Sequence, residues 1–391
     1  MNEQLNKRGD IVLMSVSKEP IFINIFDNCF PRHGLIIGSP GSGKSFATSI
    51  LLLSLLKDPK VRALVMDIGG SYRRLTEMLG GHYVDVRLDE RYAMNPLLTR
   101  EEYKLHGLQL DLIAKIIGAT SRTELCVLQK ALGKVFELKE EPILSDILHV
   151  LKTHMWDEDV EPHVQHVINK LLPFCEGVFS TLLNRPTRIR PFEKQITTFN
   201  LDGLKEHNAL KSIMASIIAL SMTGPVPERL LKKILIIEEP WVFFDDQSRE
   251  MLDQLYRMSR PHNIAIWMIS QLPKEFLLSK VINDKYDHNS WTMALKMRSD
   301  HELLSKFGFS NAEIERSKEL QIVPRAFIEM LMKFGNNPAV VARIAPNSTD
   351  YWTATTNARE CAEEAELRHS QGLTVDESIQ AMAKKYQVKE W

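Results

Sequence analysis

The chain has 391 residues, 44% of them hydrophobic, and its 49 basic and 50 acidic residues nearly cancel, which excludes a global field that attracts nucleic acid or acidic lipid. Its four cysteines lie far apart without a C-x-x-C pair, which argues against a zinc site or a disulfide framework and favours a reducing compartment. The longest apolar run, Ile50 to Leu56, is too short to span a bilayer, and the polar N-terminus has no signal-peptide core, so we expect a cytoplasmic protein that reaches a membrane only through partners.

The first predicted elements are a strand, a glycine-rich loop and a helix. The apolar run His33 to Ile37 predicts a buried strand, and Phe46 to Leu56 predicts a helix. The loop between them, GSPGSGKS, matches the phosphate-binding pattern G-x-x-x-x-G-K-[ST], in which backbone N–H groups and the helix N-terminus cradle phosphate oxygens. Lys44 is spaced to reach the β- and γ-phosphates and the Ser45 hydroxyl to bind magnesium. The predicted site for ATP and Mg²⁺ comprises Gly38, Ser39, Pro40, Gly41, Ser42, Gly43, Lys44, Ser45 and Phe46.

The elements that follow predict a doubly wound parallel sheet. Arg62 to Asp67 is typical of a second buried strand, Ser71 to Leu79 of a helix, and His82 to Leu88 of a third strand. Strands that alternate with helices in this way indicate an α/β fold with a mostly parallel central sheet.

From about Thr99 to Phe179, apolar residues recur at three- and four-residue spacing, which predicts an all-helical subdomain inserted into the α/β core. Ser145 is predicted to cap one of its helices. The remaining apolar runs predict one helix, Lys211 to Met222, and six strands, of which the last two form a hairpin. The strands are Gln195 to Leu201, Ile234 to Glu239, Ile264 to Ser270, Trp291 to Met297, Ala326 to Phe334 and Ala339 to Ile344. The C-terminal end is polar and helical, with a predicted capping box at Thr374 and Glu377. We therefore predict two parts of the core at 1–98 and 181–350, the insertion at 99–180 and a C-terminal helical segment at 351–391.

Three side chains at strand ends predict hydrolytic chemistry. Four aliphatic residues deliver Glu238 and Glu239 at the end of one strand, where Glu238 would hold magnesium, through water, and Glu239 would polarise the attacking water. Gln271 ends another buried strand and would hydrogen-bond the γ-phosphate or that water.

Besides the phosphate loop and the strand-end side chains, such a site requires an arginine. In ring-shaped motors a neighbouring subunit inserts an arginine that neutralises charge on the γ-phosphate. Arg260, before the strand that ends at Gln271, and Arg298, after the strand Trp291 to Met297, are the candidates for this role in trans.

Several runs together resemble one family, the large ATPase of conjugative type IV secretion systems (the TraC/TrbE, VirB-four class). These runs are Asp67 to Leu75, Leu79 to Tyr83, Met94 to Pro96, Gly177 to Phe179 with Leu183 and Asn184, Phe199 to Leu201, and Glu238 to Trp241. The resemblance implies a RecA-like motor domain with a helical insertion, ATP hydrolysis in a hexamer or dimer, and docking to inner-membrane channel proteins at their cytoplasmic face. By position it implies that Lys44 and Ser45 contact nucleotide and magnesium and that Glu239 is the catalytic acid.

Two departures from the family are visible. Glu238 stands where the family usually has Asp, and only about 35 residues precede the loop where members carry a large N-terminal domain. We therefore expect a motor half, or a member that is split into separate polypeptides.

Two other functions stay open. One is a DNA translocase of the coupling-protein or HerA/FtsK kind, for which Arg185, Arg188, Arg190 and Lys194 form the densest basic stretch. The other is a P-loop scaffold that binds nucleotide without turnover, which only the Glu238 departure favours.

Overall fold

The computed structural model describes residues 10–27, 32–97, 99, 108–223, 231–240, 246–272, 274, 276 and 290–388. Their strands are β1 (Ile11–Ser15), β2 (Pro20–Ile23), β3 (His33–Ile37), β4 (Val61–Asp67), β5 (His82–Asp85), β6 (Ile196–Asn200), β7 (Lys232–Glu238), β8 (Ile264–Ser270), β9 (Ser290–Ala294), β10 (Ile322–Val323), β11 (Phe327–Phe334) and β12 (Val340–Ile344). These strands form one sheet in the order β2-β1-β12-β11-β9-β3-β8-β7-β4-β6-β5, and β10 pairs with β11.

The strands from β9 to β5 in that order run parallel. Both faces of these strands are buried, as apolar runs without polar alternation require, except in β5 at the end of the sheet, where only Val84 is buried. In β3, Leu35 and Ile37 join the core on one face and Ile36 joins the core on the other. Parallel strands end at the same edge, so the segments after β3, β7 and β8 meet there. The predicted α/β class with a mostly parallel sheet is confirmed.

The rest of the sheet is antiparallel. β11 and β12 form the predicted hairpin, with Ile328 opposite Ile344. β1 and β2, which we did not predict, form a second hairpin that pairs with β12. The apolar side chains Ile11, Leu13 and Ile23 of this hairpin belong to the same core cluster as the helix that follows β3.

The helices are α1 (Lys44–Leu55), α2 (Arg73–Met78), α3 (Leu108–Ile117), α4 (Arg122–Leu138), α5 (Leu144–Thr153), α6 (Glu161–Glu176), α7 (Ser180–Leu183), α8 (Asn208–Ser221), α9 (Asp246–Met258), α10 (Asn311–Lys318), α11 (Ser348–Ala354), α12 (Ala358–Gln371) and α13 (Val375–Lys385). Within the described part of the chain, none is long and apolar enough to cross a membrane. Short 3₁₀ turns occur at Glu90–Tyr92, Asp202–Leu204 and His301–Phe307.

Helices α3 to α6 lie in the predicted helical block, and α7 follows directly after it; all five share one core cluster with a face of the sheet. The predicted cap at Ser145 is wrong: α5 begins one residue earlier, and the Asp146 carboxylate accepts the N–H of Ile143 at 2.9 Å. The Ser145 hydroxyl instead accepts a hydrogen bond from the Asn184 side chain. The division into two core parts, an insertion and a C-terminal segment remains a prediction.

The C-terminal helices form a small core of their own around Trp352, Ile379 and Met382. The capping box of Thr374 and Glu377 opens α13 as predicted. Helices α11 and α13 also pack on α2, so the C-terminal helices lie against the α/β core.

Candidate nucleotide site

The loop after β3 has the backbone that a phosphate cradle needs. Gly41 and Gly43 have φ values of 76° and 86°, a region that side chains other than glycine rarely adopt. A Cβ on Gly38 would lie 2.5 Å from the Ser42 hydroxyl oxygen. Ser42 N–H donates to the Ser39 carbonyl at 3.0 Å, which closes the turn that exposes Pro40. The loop therefore requires glycine at several positions for geometric reasons.

Lys44 and Phe46 open helix α1 behind the loop. The Lys44 ammonium donates to the carbonyls of Gly38 at 2.9 Å and Ser39 at 3.2 Å. Burial lowers the pKa of Lys44, although the negative charges of Glu239 and Glu238 act to raise it. The Phe46 ring is buried, with its centroid 5.5 Å from that of Tyr351.

Ser45, in the first turn of α1, contacts Glu238 at the C-terminal end of β7. The Ser45 hydroxyl donates to Glu238 Oε1 at 2.7 Å, and Glu238 is only 8% exposed. Burial, followed by the nearby charge of Asp67, raises the pKa of Glu238 to about 8. The two residues predicted to hold magnesium are therefore in direct contact.

Glu239 and Gln271 form a second contact at the same edge. The Gln271 side-chain amide donates to Glu239 Oε1 at 2.9 Å. Glu239 has a φ of 53° and donates its backbone N–H to the Ile269 carbonyl at 2.9 Å. A non-glycine residue in the left-handed region is strained, and such strain is concentrated at functional sites. Pro240, which follows, also disfavours the ordinary helical conformation at Glu239.

The two candidate arginines lie at opposite ends of the parallel strands. The backbone N–H of Arg298 donates to the Ser39 hydroxyl at 2.8 Å, so this exposed residue is beside the phosphate loop of its own chain. Arg260 is exposed in the turn before β8. Because β8 is parallel to β3 and seven residues long, Arg260 lies about 20 Å from the loop edge. A role of Arg260 in trans stays a prediction.

Asp67 and Tyr72 belong to this site, although we predicted no chemical role for them. Tyr72 is fully buried, and its hydroxyl donates to Glu238 Oε1 at 3.1 Å. Asp67 ends β4, whose register pairs Met66 with Ile237 and so places Asp67 beside Glu238. Two acids at the ends of apolar strands, Asp67 and Glu238, were a usable signal, but only the strand order shows that these strands are neighbours.

The side chains at this edge fit a magnesium ion. Mg²⁺ prefers oxygen ligands such as the Ser45 hydroxyl and the Glu238 carboxylate. Asp67 Oδ1 is buried and has no hydrogen-bond partner among the described residues. Burial raises the pKa of Asp67 to about 6. A divalent cation would compensate these clustered carboxylates.

Comparison with known proteins identifies the relatives of this chain. A family model described as the TraG P-loop domain matches residues 4–386. Protein TraC of Escherichia coli (strain K12) is 24% identical over 321 residues, which cover 77% of this chain and 35% of TraC. The chain thus spans about a third of the length of this relative. The predicted resemblance to the TraC, VirB-four class is confirmed.

Solved structures agree in fold. VirB4 of Thermoanaerobacter pseudethanolicus has a TM-score of 0.70 at 18% identity, over 88% of this chain and 98% of VirB4. The plasmid coupling protein TrwB in complex with ADP and Mg²⁺ has a TM-score of 0.55 at 13% identity, over 86% of this chain and 89% of TrwB. These likenesses confirm the RecA-like P-loop fold.

Proposed function

The chain belongs to the family of the TraG P-loop domain, and we propose that it is an ATP-hydrolysing motor that energises conjugative type IV secretion as an oligomeric ring. The supporting observation is the pair of contacts at one sheet edge, Ser45 with Glu238 and Glu239 with Gln271, directly beside the phosphate loop. A P-loop alone binds phosphate, whereas a magnesium contact and a carboxylate held near the loop support hydrolysis.

The residues divide the chemistry among them. Loop N–H groups and Lys44 would hold the phosphates of ATP. Ser45 and Glu238 would hold Mg²⁺, which when bound neutralises charge on the phosphate oxygens. Glu239 would accept a proton from the water that attacks the γ-phosphorus, and the Gln271 amide would keep the Glu239 carboxylate in place.

The test of this function is ATP turnover by the full chain. Lys44→Ala should abolish turnover, and Lys57→Ala, an exposed lysine just after α1, is the matched control that should leave it intact. Glu239→Gln should trap bound ATP while it slows hydrolysis at least about a hundredfold. Retained activity in Lys44→Ala would exclude the site, and normal turnover in Glu239→Gln would move the base role to Glu238.

A shared site would make turnover depend on assembly into a dimer or hexamer. We propose that Arg298 or Arg260 completes the site of a neighbouring subunit, and that the ring docks to inner-membrane channel proteins on their cytoplasmic side. Turnover should then rise steeply with protein concentration. Mixed rings of Lys44→Ala with Arg298→Ala or Arg260→Ala subunits should regain partial activity, and no recovery at any ratio would contradict a shared site.

One observation favours the alternative, a DNA translocase. Arg188 and Arg190 are exposed and line a surface cleft of about 430 Å³ together with Arg91. Arg185, from the same basic stretch, instead pairs with Glu90 at 3.1 Å. If the chain acts on DNA, DNA should stimulate turnover, and a variant with Arg188→Ala and Arg190→Ala should lose the stimulation while Arg185→Ala keeps it. Turnover that DNA does not affect favours the secretion motor.

A further inference from the structure

The turn between β4 and α2 is built to fix one side chain. Asp67 Oδ2 accepts the backbone N–H of Tyr72 at 3.2 Å. Gly69 and Gly70 have φ values of 95° and 77°, which let the chain wrap around the carboxylate. The backbone at Tyr72 is therefore held by a completely buried acid.

The Tyr72 hydroxyl lies between the strand and the helix that form the magnesium site. It donates to Glu238 Oε1 at 3.1 Å, the same oxygen that accepts the Ser45 hydroxyl at 2.7 Å. Ser45 belongs to the first turn of α1, and Tyr72 directly precedes α2. One carboxylate oxygen of Glu238 thus joins these two helix starts.

We propose that Tyr72 is a positioning residue that orients Glu238 for a magnesium ion bound with nucleotide. This inference rests on the proposed function, because it assigns the ion to Ser45 and Glu238. Glutamate has one more rotatable bond than aspartate, and each freely rotating side-chain bond that must be ordered costs free energy. A hydrogen bond from a fully buried phenol restricts that rotation before the ion arrives.

A residue that only filled the core would not need its hydroxyl. Phe has the shape of Tyr without the oxygen, so Tyr72→Phe keeps the packing and removes only the bond to Glu238. The loss of a hydrogen bond to a charged group should weaken magnesium binding about tenfold or more. Tyr83→Phe is the matched control, since Tyr83 is half-buried and follows α2 but does not bond to Glu238.

The measurement is calorimetric titration of Mg²⁺ into the ADP-loaded full chain. Tyr72→Phe should raise the Kd for Mg²⁺ about tenfold, while its affinity for ADP without metal and its melting temperature stay near those of wild type and Tyr83→Phe. In a Glu238→Asp background the shorter carboxylate no longer reaches the phenol, so Tyr72→Phe should then change the Kd by less than about twofold. Unchanged Mg²⁺ affinity in Tyr72→Phe, or an equal loss in Tyr83→Phe, would overturn the proposal.

Hydrogen exchange of the wild type gives a second test that needs no variant. If Tyr72 links the ion to the turn, adding Mg²⁺ to the ADP-loaded chain should slow exchange of the amides from Ile68 to Tyr72. Exchange that Mg²⁺ does not alter there contradicts the link. Both measurements detect metal binding rather than ATP hydrolysis. If the chain binds Mg²⁺ and ADP but does not hydrolyse ATP, the proposed function is excluded, yet the role of Tyr72 can still be tested.

Discussion

Gly34→Ala is expected to destabilise the protein because β3 passes directly over a tryptophan. Gly34 and Trp291 are register partners on the adjacent strands β3 and β9. A Cβ on Gly34 would lie 2.2, 2.3 and 2.6 Å from three atoms of the Trp291 indole, where ordinary contacts begin near 3.4 Å. The indole would have to move by about 1 Å inside a close-packed core.

Trp291 has little freedom to make that movement. It is 1% exposed and stands nearly perpendicular to Trp267, with ring centroids 5.2 Å apart. Overpacking a core costs about 1–3 kcal/mol, and a rigid indole as the obstacle favours the upper part of that range. We therefore expect Gly34→Ala to lower the free energy of unfolding by about 2–3 kcal/mol.

Urea unfolding followed by circular dichroism measures this change, and the chain offers a control of opposite sign. Gly133 lies inside α4, and a Cβ there would meet no atom within 4 Å. Gly133→Ala should therefore stabilise the protein by about 0.5–1 kcal/mol. Trp291→Leu in the Gly34→Ala background should relieve part of the loss. A cost below about 0.5 kcal/mol for Gly34→Ala, or the same sign for both glycines, would show that the Trp291 indole does not obstruct a side chain at position 34.

Three further predictions concern the site. Without Mg²⁺, the free energy of unfolding should fall as pH rises from about 5 to about 8, because the folded state holds protons on Asp67 (pKa about 6) and Glu238 (pKa about 8) that the unfolded state has released. Asp67→Asn should flatten this pH slope in urea unfolding, and an unchanged slope contradicts the prediction. Glu239→Gly should abolish turnover yet raise the free energy of unfolding by about 0.5–1 kcal/mol, since Glu239 has a φ of 53°; lower stability would argue against strain there. Gly38→Ala should weaken ADP binding about tenfold or more, because its Cβ would lie 2.5 Å from the Ser42 oxygen; an unaltered affinity in an ADP titration would contradict this.

Prediction from sequence succeeded where the structure depends on neighbours along the chain. The strands His33–Ile37 and Ile264–Ser270 have the predicted bounds, since a continuous apolar run between polar ends specifies a buried strand. The capping box of Thr374 and Glu377 was equally predictable because both partners lie within one helical turn.

Prediction failed where a contact with a distant segment decides the local structure. The hairpin of β1 and β2 depends on β12, which is more than 300 residues away in the chain, and no local pattern reveals that partner. At α5, the Asp146 carboxylate supplies the N-terminal bond, while Asn184 bonds to the hydroxyl of Ser145. Tertiary contacts decided which of two adjacent polar residues acts at the helix end.

The phosphate-loop pattern and the candidate acids Glu238 and Glu239 were visible in the amino-acid sequence alone, because GSPGSGKS and the end of β7 are runs of consecutive residues. The presence of Asp67 and Tyr72 at the same site became visible only in the folded chain. Their proximity to Glu238 follows from the order in which parallel strands assemble, with β4 beside β7. Strand order depends on the packing of both sheet faces, which involves the whole chain rather than any one segment.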